Sequence, residues 1–258
     1  FKQKTAYEIS LGLVGSEMCI RDRINDVPDG GTIRNSLRVQ GIAQVLADQG
    51  HICTSSDIRN ALRETQRILW AGQLSGKDLS FKQQVELFLK ELHLLSLDTL
   101  ESQCRDQIAE KYGNAFFGCS PRLHKDVKSV LQWLKENGLK VALVSNTGAT
   151  PGKMLSVYLS RLDILDYFDL LVFSDEHQIA KPNPELFSIA LERLKTMPEQ
   201  AVHVGDQIYF DCDGAKQAGM KAVLLDGIVQ HVDPSQCIFT PDAIIPDIGQ
   251  VPYVIAHK

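Results

Sequence analysis

Two aspartates near the end of an apolar segment are spaced so that they could bind one metal ion. Asp206 follows the apolar run AVHVG, and Asp211 comes five residues later, at the start of a segment that favours a helix. Carboxylate oxygens at this spacing can share one hard cation, and Mg²⁺ prefers one or two carboxylates together with waters and a substrate phosphate. The pattern predicts a Mg²⁺ site, with the alternative that Asp211 merely caps the helix that follows.

Two further polar segments have the composition of an anion-binding site. Ser145, Asn146 and Thr147 leave the apolar run KVALV, and hydroxyl and backbone N–H donors at such a turn can bind the oxygens of an anion. Lys181 precedes a helix that opens at Asn-Pro, and a fixed ammonium group there would screen carboxylates and phosphate from one another. Taken alone, the first segment is also a good turn, and the lysine also suits a solvated position.

The second half of the chain alternates between short apolar runs and amphipathic stretches. This alternation is typical of a parallel sheet covered by helices on both faces, so the expected fold class is α/β. Ligands of such sheets bind beyond the carboxyl ends of the strands, and we expect polar residues to converge there. The polar residues at predicted strand ends are 145–147, 174–176, Asp206, Asp211 and Asp226.

Residues 37–119 have a different character. They repeat the apolar spacing of amphipathic helices and contain no convincing strand, so we expect four helices that form a compact all-helical module. Because this module precedes the alternating segment, the chain is interpreted as a sheet core with a smaller helical domain.

Composition excludes several classes of function. The net charge of −5 gives no reason to expect binding to nucleic acid, and no apolar run approaches the roughly 20 residues that span a bilayer. The six cysteines include no C-x-x-C pair, which predicts reduced thiols in a cytoplasmic protein. The oligomeric state is left open.

Three ordered segments, VSNTG, FSDEHQIAKPNPELF and VGDQIYFDCDGAKQAGMKAVLL, strongly resemble the second, third and fourth motifs of the haloacid dehalogenase-like hydrolases. The resemblance covers residues 120–258, and the helical module 37–119 is similar to the cap of the phosphoglycolate phosphatase-like branch. It implies a Rossmann-like core formed by residues 24–36 and 120–258, with the helical cap inserted. It also implies a Mg²⁺-dependent phosphatase that acts on a small phosphorylated metabolite through an aspartyl-phosphate intermediate.

The resemblance also implies a role for each matched residue. Ser145 and Asn146 would bind the transferring phosphoryl group, and Lys181 would hold nucleophile and phosphate together. Asp206 and Asp211 would hold the metal ion. The substrate itself is not indicated by any motif in the helical module.

The first motif of that family, a buried strand ending in D-x-D-G-T, is mismatched here. Its nearest counterpart is INDVPDGGTIRNS, residues 24–36, in which Pro28 occupies the nucleophile position and Gly30 the acid–base position. We take Asp29 as the first choice for nucleophile and metal ligand and Asp26 as the second. An aspartate lost upstream is the third possibility.

Residues 1–23 resemble a translated sequencing-library adapter. The blocks KQKTAYEI and LVGSEMCIRD match its two constant parts, and we expect this segment to be an artefact that has replaced the authentic first strand. No buried strand is expected upstream of residue 24.

Two other functions are compatible with these residues. A catalytically inactive binding protein would explain a native mismatch at the first motif. A haloacid dehalogenase would use the same nucleophile without a metal ion, and the Asp206–Asp211 pair argues against it.

Overall fold

The computed structural model describes residues 30–92, 100–227 and 230–256, together with the backbone of residues 8–11. Asp26, Pro28 and Asp29 lie outside these ranges, so the predictions for the first motif fall on residues that the structure does not describe. Within the described part of the chain, no helix is both long enough and apolar enough to cross a bilayer.

Six parallel strands form one sheet in the order β3-β2-β1-β4-β5-β6. This is the strand order of a doubly wound α/β fold, in which the order reverses beside β1. The strands are β1 (Glu8–Leu11), β2 (Val141–Ser145), β3 (Leu170–Phe173), β4 (Ala201–Gly205), β5 (Lys221–Leu225) and β6 (Ala243–Ile245). The predicted α/β class with a Rossmann-like sheet is confirmed.

The ten helices of the described ranges connect and cover these strands. They are α1 (Gly30–Asp48), α2 (Ser55–Leu74), α3 (Phe81–Glu91), α4 (Ser102–Asn114), α5 (Val127–Glu136), α6 (Gly152–Arg161), α7 (Ser174–His177), α8 (Pro184–Leu194), α9 (Gly214–Gln217) and α10 (Val251–Ala256).

The central strands are buried on both faces, because helices cover the sheet from each side. Every residue of β2 and β4 is buried. Alternate residues of β2 enter two different apolar clusters: Val141 and Leu143 pack on the side of α5 and α6, whereas Ala142 and Val144 pack on the side of α8. Two-sided burial explains why these strands are continuous apolar runs in the sequence.

The strand β1 corrects one prediction. The chain was expected to lack a strand upstream of residue 24, yet Glu8–Leu11 pairs in parallel with β2 on one side and β4 on the other. The signal is weak in the sequence, because a four-residue strand carries little periodicity and both of its partners lie more than 130 residues away. The adapter origin of residues 1–23 stays a prediction.

The helices α1–α4 have an apolar core of their own. Fifteen buried residues between Val39 and Tyr112 form this cluster, including Ile42, Leu62 and Phe88. Capping boxes start α2 at Thr54–Asp57 and α3 at Ser80–Gln83. The expected helical cap is confirmed, although α1 begins at Gly30, inside the segment that the sequence analysis assigned to the sheet core.

We predict that a proline in β1 destabilises the whole sheet. Ile9→Pro removes a backbone donor from a strand with a partner on each side, and proline is confined to edge strands for that reason. A lost ladder bond that leaves a buried group unpaired should lower the free energy of unfolding by about 1–3 kcal/mol in urea denaturation.

The matched control is Ile52→Pro, since Ile52 is 99% exposed between α1 and α2. Equal stability of the two variants would show that Glu8–Leu11 does not form the central strand.

Candidate functional site

The predicted polar residues lie at the carboxyl edge of the sheet, on both sides of β1. Ser145 is the last residue of β2, and Asp206 directly follows β4. Since β2 and β4 both pair with β1, the two strand ends flank the point where the strand order reverses. In open α/β sheets this crevice is the usual ligand site.

Asn146 connects the turn after β2 to Lys181. The side chain Nδ2 of Asn146 donates to the Lys181 carbonyl oxygen at 3.0 Å, and the Lys181 N–H donates to Asn146 Oδ1 at 2.7 Å. Both bonds are buried. Downstream, the Asn183 side chain accepts from Glu185 N and caps α8, whose first residue is Pro184, as the sequence predicted. Lys181 is therefore fixed to Asn146 through both its backbone N–H and its carbonyl oxygen.

The ammonium group of Lys181 forms a buried ion pair with Asp211. The distance from Lys181 Nζ to Asp211 Oδ1 is 2.6 Å, and neither side chain is exposed to solvent. His203 Nε2 lies 3.0 Å from the same oxygen. His203 is fully buried in β4, and the sequence analysis did not identify its contact with Asp211. A buried histidine in a strand needs a polar partner, and this requirement was the available signal.

The second oxygen of Asp211 binds the backbone after β4. Asp211 Oδ2 accepts the N–H of Asp206 at 3.0 Å and the N–H of Gln207 at 2.9 Å. A Cβ atom at Gly205 would lie 2.2 Å from Asp211 Cγ, so glycine is required for this close approach. The alternative that Asp211 caps the next helix is wrong, because its oxygens bind residues that precede it, and a π-helical turn at Ile208–Asp213 separates β4 from α9.

These contacts keep Asp211 ionised. Burial opposes the charge, but the Lys181 ammonium group and the His203 hydrogen bond outweigh it and hold the pKa of Asp211 below its ordinary value. The site therefore contains a fixed cation and a fixed anion in a region that water does not reach, where electrostatic interactions are strong.

Asp206 differs from Asp211 in its surroundings. It is also fully buried, and Gln207 Nε2 donates to its Oδ2 over a long distance of 3.3 Å. Gln230 Nε2 donates to the Asp206 carbonyl oxygen at 2.8 Å, which ties the loop after β5 to this strand end. In the described residues, no group of three or more His, Cys, Asp or Glu side chains is arranged to hold a metal ion.

The turn after β2 is tied to the end of β3. Thr147 N donates to Ser174 Oγ at 2.7 Å, and Thr147 Oγ1 donates to Asp175 Oδ1 at 3.0 Å. Asp175 also accepts from the N–H of Gly152, the first residue of α6, and burial raises its pKa. Ser145 Oγ is 3.1 Å from the Asn146 carbonyl oxygen. The convergence predicted for residues 145–147 and 174–176 is confirmed for these contacts.

Asp226 does not join this network. It follows β5 but is exposed, and its Oδ1 accepts the N–H of its neighbour Gly227 at 2.7 Å. Asp226 lies at the predicted carboxyl edge of the sheet but apart from the contacts around Asp211, because β5 is one strand farther from β1 than β4.

Sequence reasoning missed two site residues from the helical cap. Gln73 and Asp78 are both buried; Gln73 Nε2 donates to the Thr147 carbonyl oxygen at 2.5 Å, and Asp78 accepts from Ser174 at the end of β3. Burial raises the pKa of Asp78 to about 6. These residues carry no periodic signal, because their partners are 74 to 96 residues away in the chain.

Comparison with known proteins places the chain among hydrolases. The family model described as haloacid dehalogenase-like hydrolase matches residues 31–219, which is more than half of the chain.

The chain spans about half the length of the curated relatives that it matches. The phosphorylated carbohydrates phosphatase of Thermotoga maritima is 31% identical over 118 residues, which are 46% of this chain and 52% of that protein. The glyceraldehyde 3-phosphate phosphatase of Methanopyrus kandleri is 37% identical over 122 residues, which are 46% of this chain and 50% of that protein.

Solved structures match nearly the whole chain at low identity. The 2-haloacid dehalogenase of Pseudomonas syringae has a TM-score of 0.64 and 20% identity, and the match covers 97% of this chain and 98% of that one. The haloacid dehalogenase-like phosphatase of Thermococcus onnurineus has a TM-score of 0.58 and 19% identity, covering 98% and 99%. At these identities the likeness concerns the fold.

We predict that Lys181→Met is strongly destabilising. It leaves the Asp211 carboxylate buried without its cation, and breaking a buried ion pair in this way costs about 3–5 kcal/mol. Adding Asp211→Asn should recover part of the loss, because the uncompensated charge is then removed. Denaturant unfolding of the two single variants and the double variant measures this coupling.

Lys128→Met is the control, since Lys128 is exposed on α5. A Lys181→Met protein as stable as this control would contradict the buried pair.

Proposed function

The chain belongs to the haloacid dehalogenase-like hydrolase family, and on this basis we propose that it is a phosphatase that hydrolyses small phosphate monoesters with Mg²⁺. The observation that carries the proposal is the continuous hydrogen-bonded path from Asn146 through Lys181 to Asp211 and Asp206. It joins three separate segments at one sheet edge, includes the ammonium group of Lys181, and begins directly after Ser145, whose hydroxyl group is a further donor.

Phosphoryl transfer depends mainly on positioning and on neutralising charge, and this arrangement supplies both. Ser145 and Asn146 would bind the oxygens of the phosphoryl group from the turn after β2. Lys181 would hold that group close to the attacking carboxylate, because its ammonium group is attracted to both. Hydrolysis would then proceed through an aspartyl-phosphate: the Asp–O–P bond forms as the P–O bond of the ester breaks, and the leaving oxygen takes a proton from solvent and departs as the alcohol. Water then cleaves the aspartyl-phosphate, which releases phosphate and restores the carboxylate.

A Mg²⁺ ion fits the donor chemistry of this edge at Asp206. Mg²⁺ needs one or two carboxylates, with waters and substrate phosphate as further ligands, and Asp206 offers a buried hard oxygen at the strand end. Asp211 fits less well, since each of its oxygens already accepts two protein donors. We therefore propose Asp206 as the ligand and Asp211 as the anchor of Lys181, with Asp29 as the second carboxylate. Bound Mg²⁺ would supply charge neutralisation at the phosphate oxygens.

The curated relatives support the same reaction class. Those from Thermotoga maritima and Methanopyrus kandleri are named phosphatases of phosphorylated carbohydrates and of glyceraldehyde 3-phosphate, respectively. For this chain we propose a small phosphorylated metabolite as substrate.

A second candidate, a binding protein without catalysis, is favoured by one observation. The central strand Glu8–Leu11 is followed by ten residues without an aspartate, the next one being Asp22. A phosphorylated ligand could still bind through Ser145 and Lys181, but no covalent intermediate would form without a nucleophile.

We predict that the protein hydrolyses p-nitrophenyl phosphate in the presence of Mg²⁺. Asp206→Asn should lower the rate of hydrolysis about 100-fold or more, because the substitution weakens the metal site. Asp226→Asn, at the same sheet edge but exposed, is the matched control and should retain activity. Chelation of Mg²⁺ should abolish hydrolysis in the wild type. Activity that survives both chelation and Asp206→Asn would refute the proposed metal-dependent reaction.

We predict that Asp29→Asn abolishes this hydrolysis and that Asp26→Asn does not. An amide cannot attack phosphorus in place of a carboxylate, so the variant that loses the aspartyl-phosphate identifies the nucleophile. Mass spectrometry of acid-quenched enzyme measures the covalent intermediate. If neither substitution changes the rate of hydrolysis, the nucleophile is a different residue. If the wild type binds phosphate but hydrolyses no ester, the chain is a binding protein without catalysis.

A further inference from the structure

Four buried polar residues connect the helical cap to the turn after β2. Gln73 lies near the end of α2 and Asp78 lies between α2 and α3, whereas Thr147 and Ser174 follow β2 and β3. Their exposed fractions are 8%, 6%, 2% and 0%, respectively. Polar side chains so deeply buried at a contact between two parts of a protein require partners across that contact.

The contacts form a closed circuit around Asp78. Ser174 Oγ accepts the Thr147 N–H at 2.7 Å and donates to Asp78 Oδ2 at 2.5 Å. Gln73 Nε2 donates to the same Asp78 oxygen at 3.0 Å and to the Thr147 carbonyl oxygen. Both backbone polar groups of Thr147 are therefore held by this circuit.

The same part of the cap also pairs with the segment that leads into Lys181. Asp78 N donates to the Gln178 carbonyl oxygen at 3.1 Å, and Ala180 N donates to the Gly76 carbonyl oxygen at 3.1 Å. Lys77 and Ile179 form an isolated antiparallel bridge between these bonds. Residues 76–78 thus contact the segment that leads into Lys181 directly, and Asp78 reaches the turn after β2 through Ser174.

We infer, on the basis of the function proposed above, that Asp78 is a positioning residue that couples the placement of the cap to the geometry of the phosphoryl-binding turn. Thr147 directly follows Ser145 and Asn146, so a change in its backbone moves the groups that would bind phosphate. Asp78 acts through Ser174, with Gln73 as the second connection.

Such coupling is reciprocal by thermodynamic linkage. If docking of the cap orders the turn, then an anion bound at the turn must stabilise the docked cap to the same extent. A side chain that only stabilises the fold would lower stability when removed, but it would not transmit the effect of an anion from the turn to residues 76–78.

Amide hydrogen exchange measured by NMR tests the coupling directly. In the full chain, Asp78→Ala should raise the exchange rate of the Thr147 amide about tenfold, which corresponds to the loss of one ordinary buried hydrogen bond. Asp78→Asn keeps an acceptor oxygen for Ser174 and Gln73 and should give an intermediate rate. Asp106→Ala, an exposed position on α4, is the matched control and should leave the Thr147 amide unchanged.

Inorganic phosphate provides the reciprocal measurement. Saturating phosphate should slow exchange of the Asp78 amide in the wild type and in Asp106→Ala, and this protection should disappear in Asp78→Ala. If Asp78→Ala does not fold, Gln73→Leu removes the second connection and should give the same loss of protection. Protection of the amide at residue 78 that persists in the folded variant would overturn the inference.

Failure of the coupling and failure of the phosphatase proposal are distinguishable. If phosphate protects neither Asn146 nor Thr147 in the wild type, the turn does not bind phosphate and the proposed function fails. The Thr147 exchange rate in Asp78→Ala still decides the structural coupling in that case.

If p-nitrophenyl phosphate is hydrolysed, Asp78→Ala should raise KM more than it lowers kcat, and Asp78→Asn should restore part of the affinity. An unchanged KM would contradict the positioning role.

Discussion

The buried ion pair between Lys181 and Asp211 is the interaction on which the rest of the site depends. Neither group is exposed, so each buried charge depends on the other, which is 2.6 Å away. Asp211 in turn binds the backbone of Asp206 and Gln207, and Lys181 is fixed through its backbone to Asn146. One ion pair therefore fixes the relative positions of three segments that are far apart in the sequence.

The sheet makes this convergence possible. Because all described strand pairs are parallel, their carboxyl ends lie at one edge, and the strand order reverses beside β1, which lies between β2 and β4. Gly205 allows Asp211 to approach the end of β4, and the cap residue Gln73 binds both Asp78 and the Thr147 carbonyl oxygen of the turn after β2. Membership in the haloacid dehalogenase-like hydrolase family agrees with this architecture.

Much of this architecture could be predicted from local pattern, and the remainder depends on contacts between distant residues. The strands around Val141–Ser145 and Ala201–Gly205 and the helix at Pro184 have clear apolar periodicity or capping residues. The strand Glu8–Leu11 has neither, since its partners are distant and it is only four residues long. The contacts of His203 and Asp78 also involve distant residues. A periodic pattern does not indicate which partner a single buried polar residue will have.

The central claim is that Lys181, Asp206 and the turn at Ser145 surround one site for a phosphoryl group. A crystal structure of the full chain with Mg²⁺ and tungstate, a tetrahedral oxyanion, tests this most directly. We expect the anion within hydrogen-bonding distance of Ser145 Oγ and Lys181 Nζ, with Mg²⁺ bound to an Asp206 oxygen. An anion bound elsewhere, with Lys181 still enclosed and out of its reach, would contradict the account.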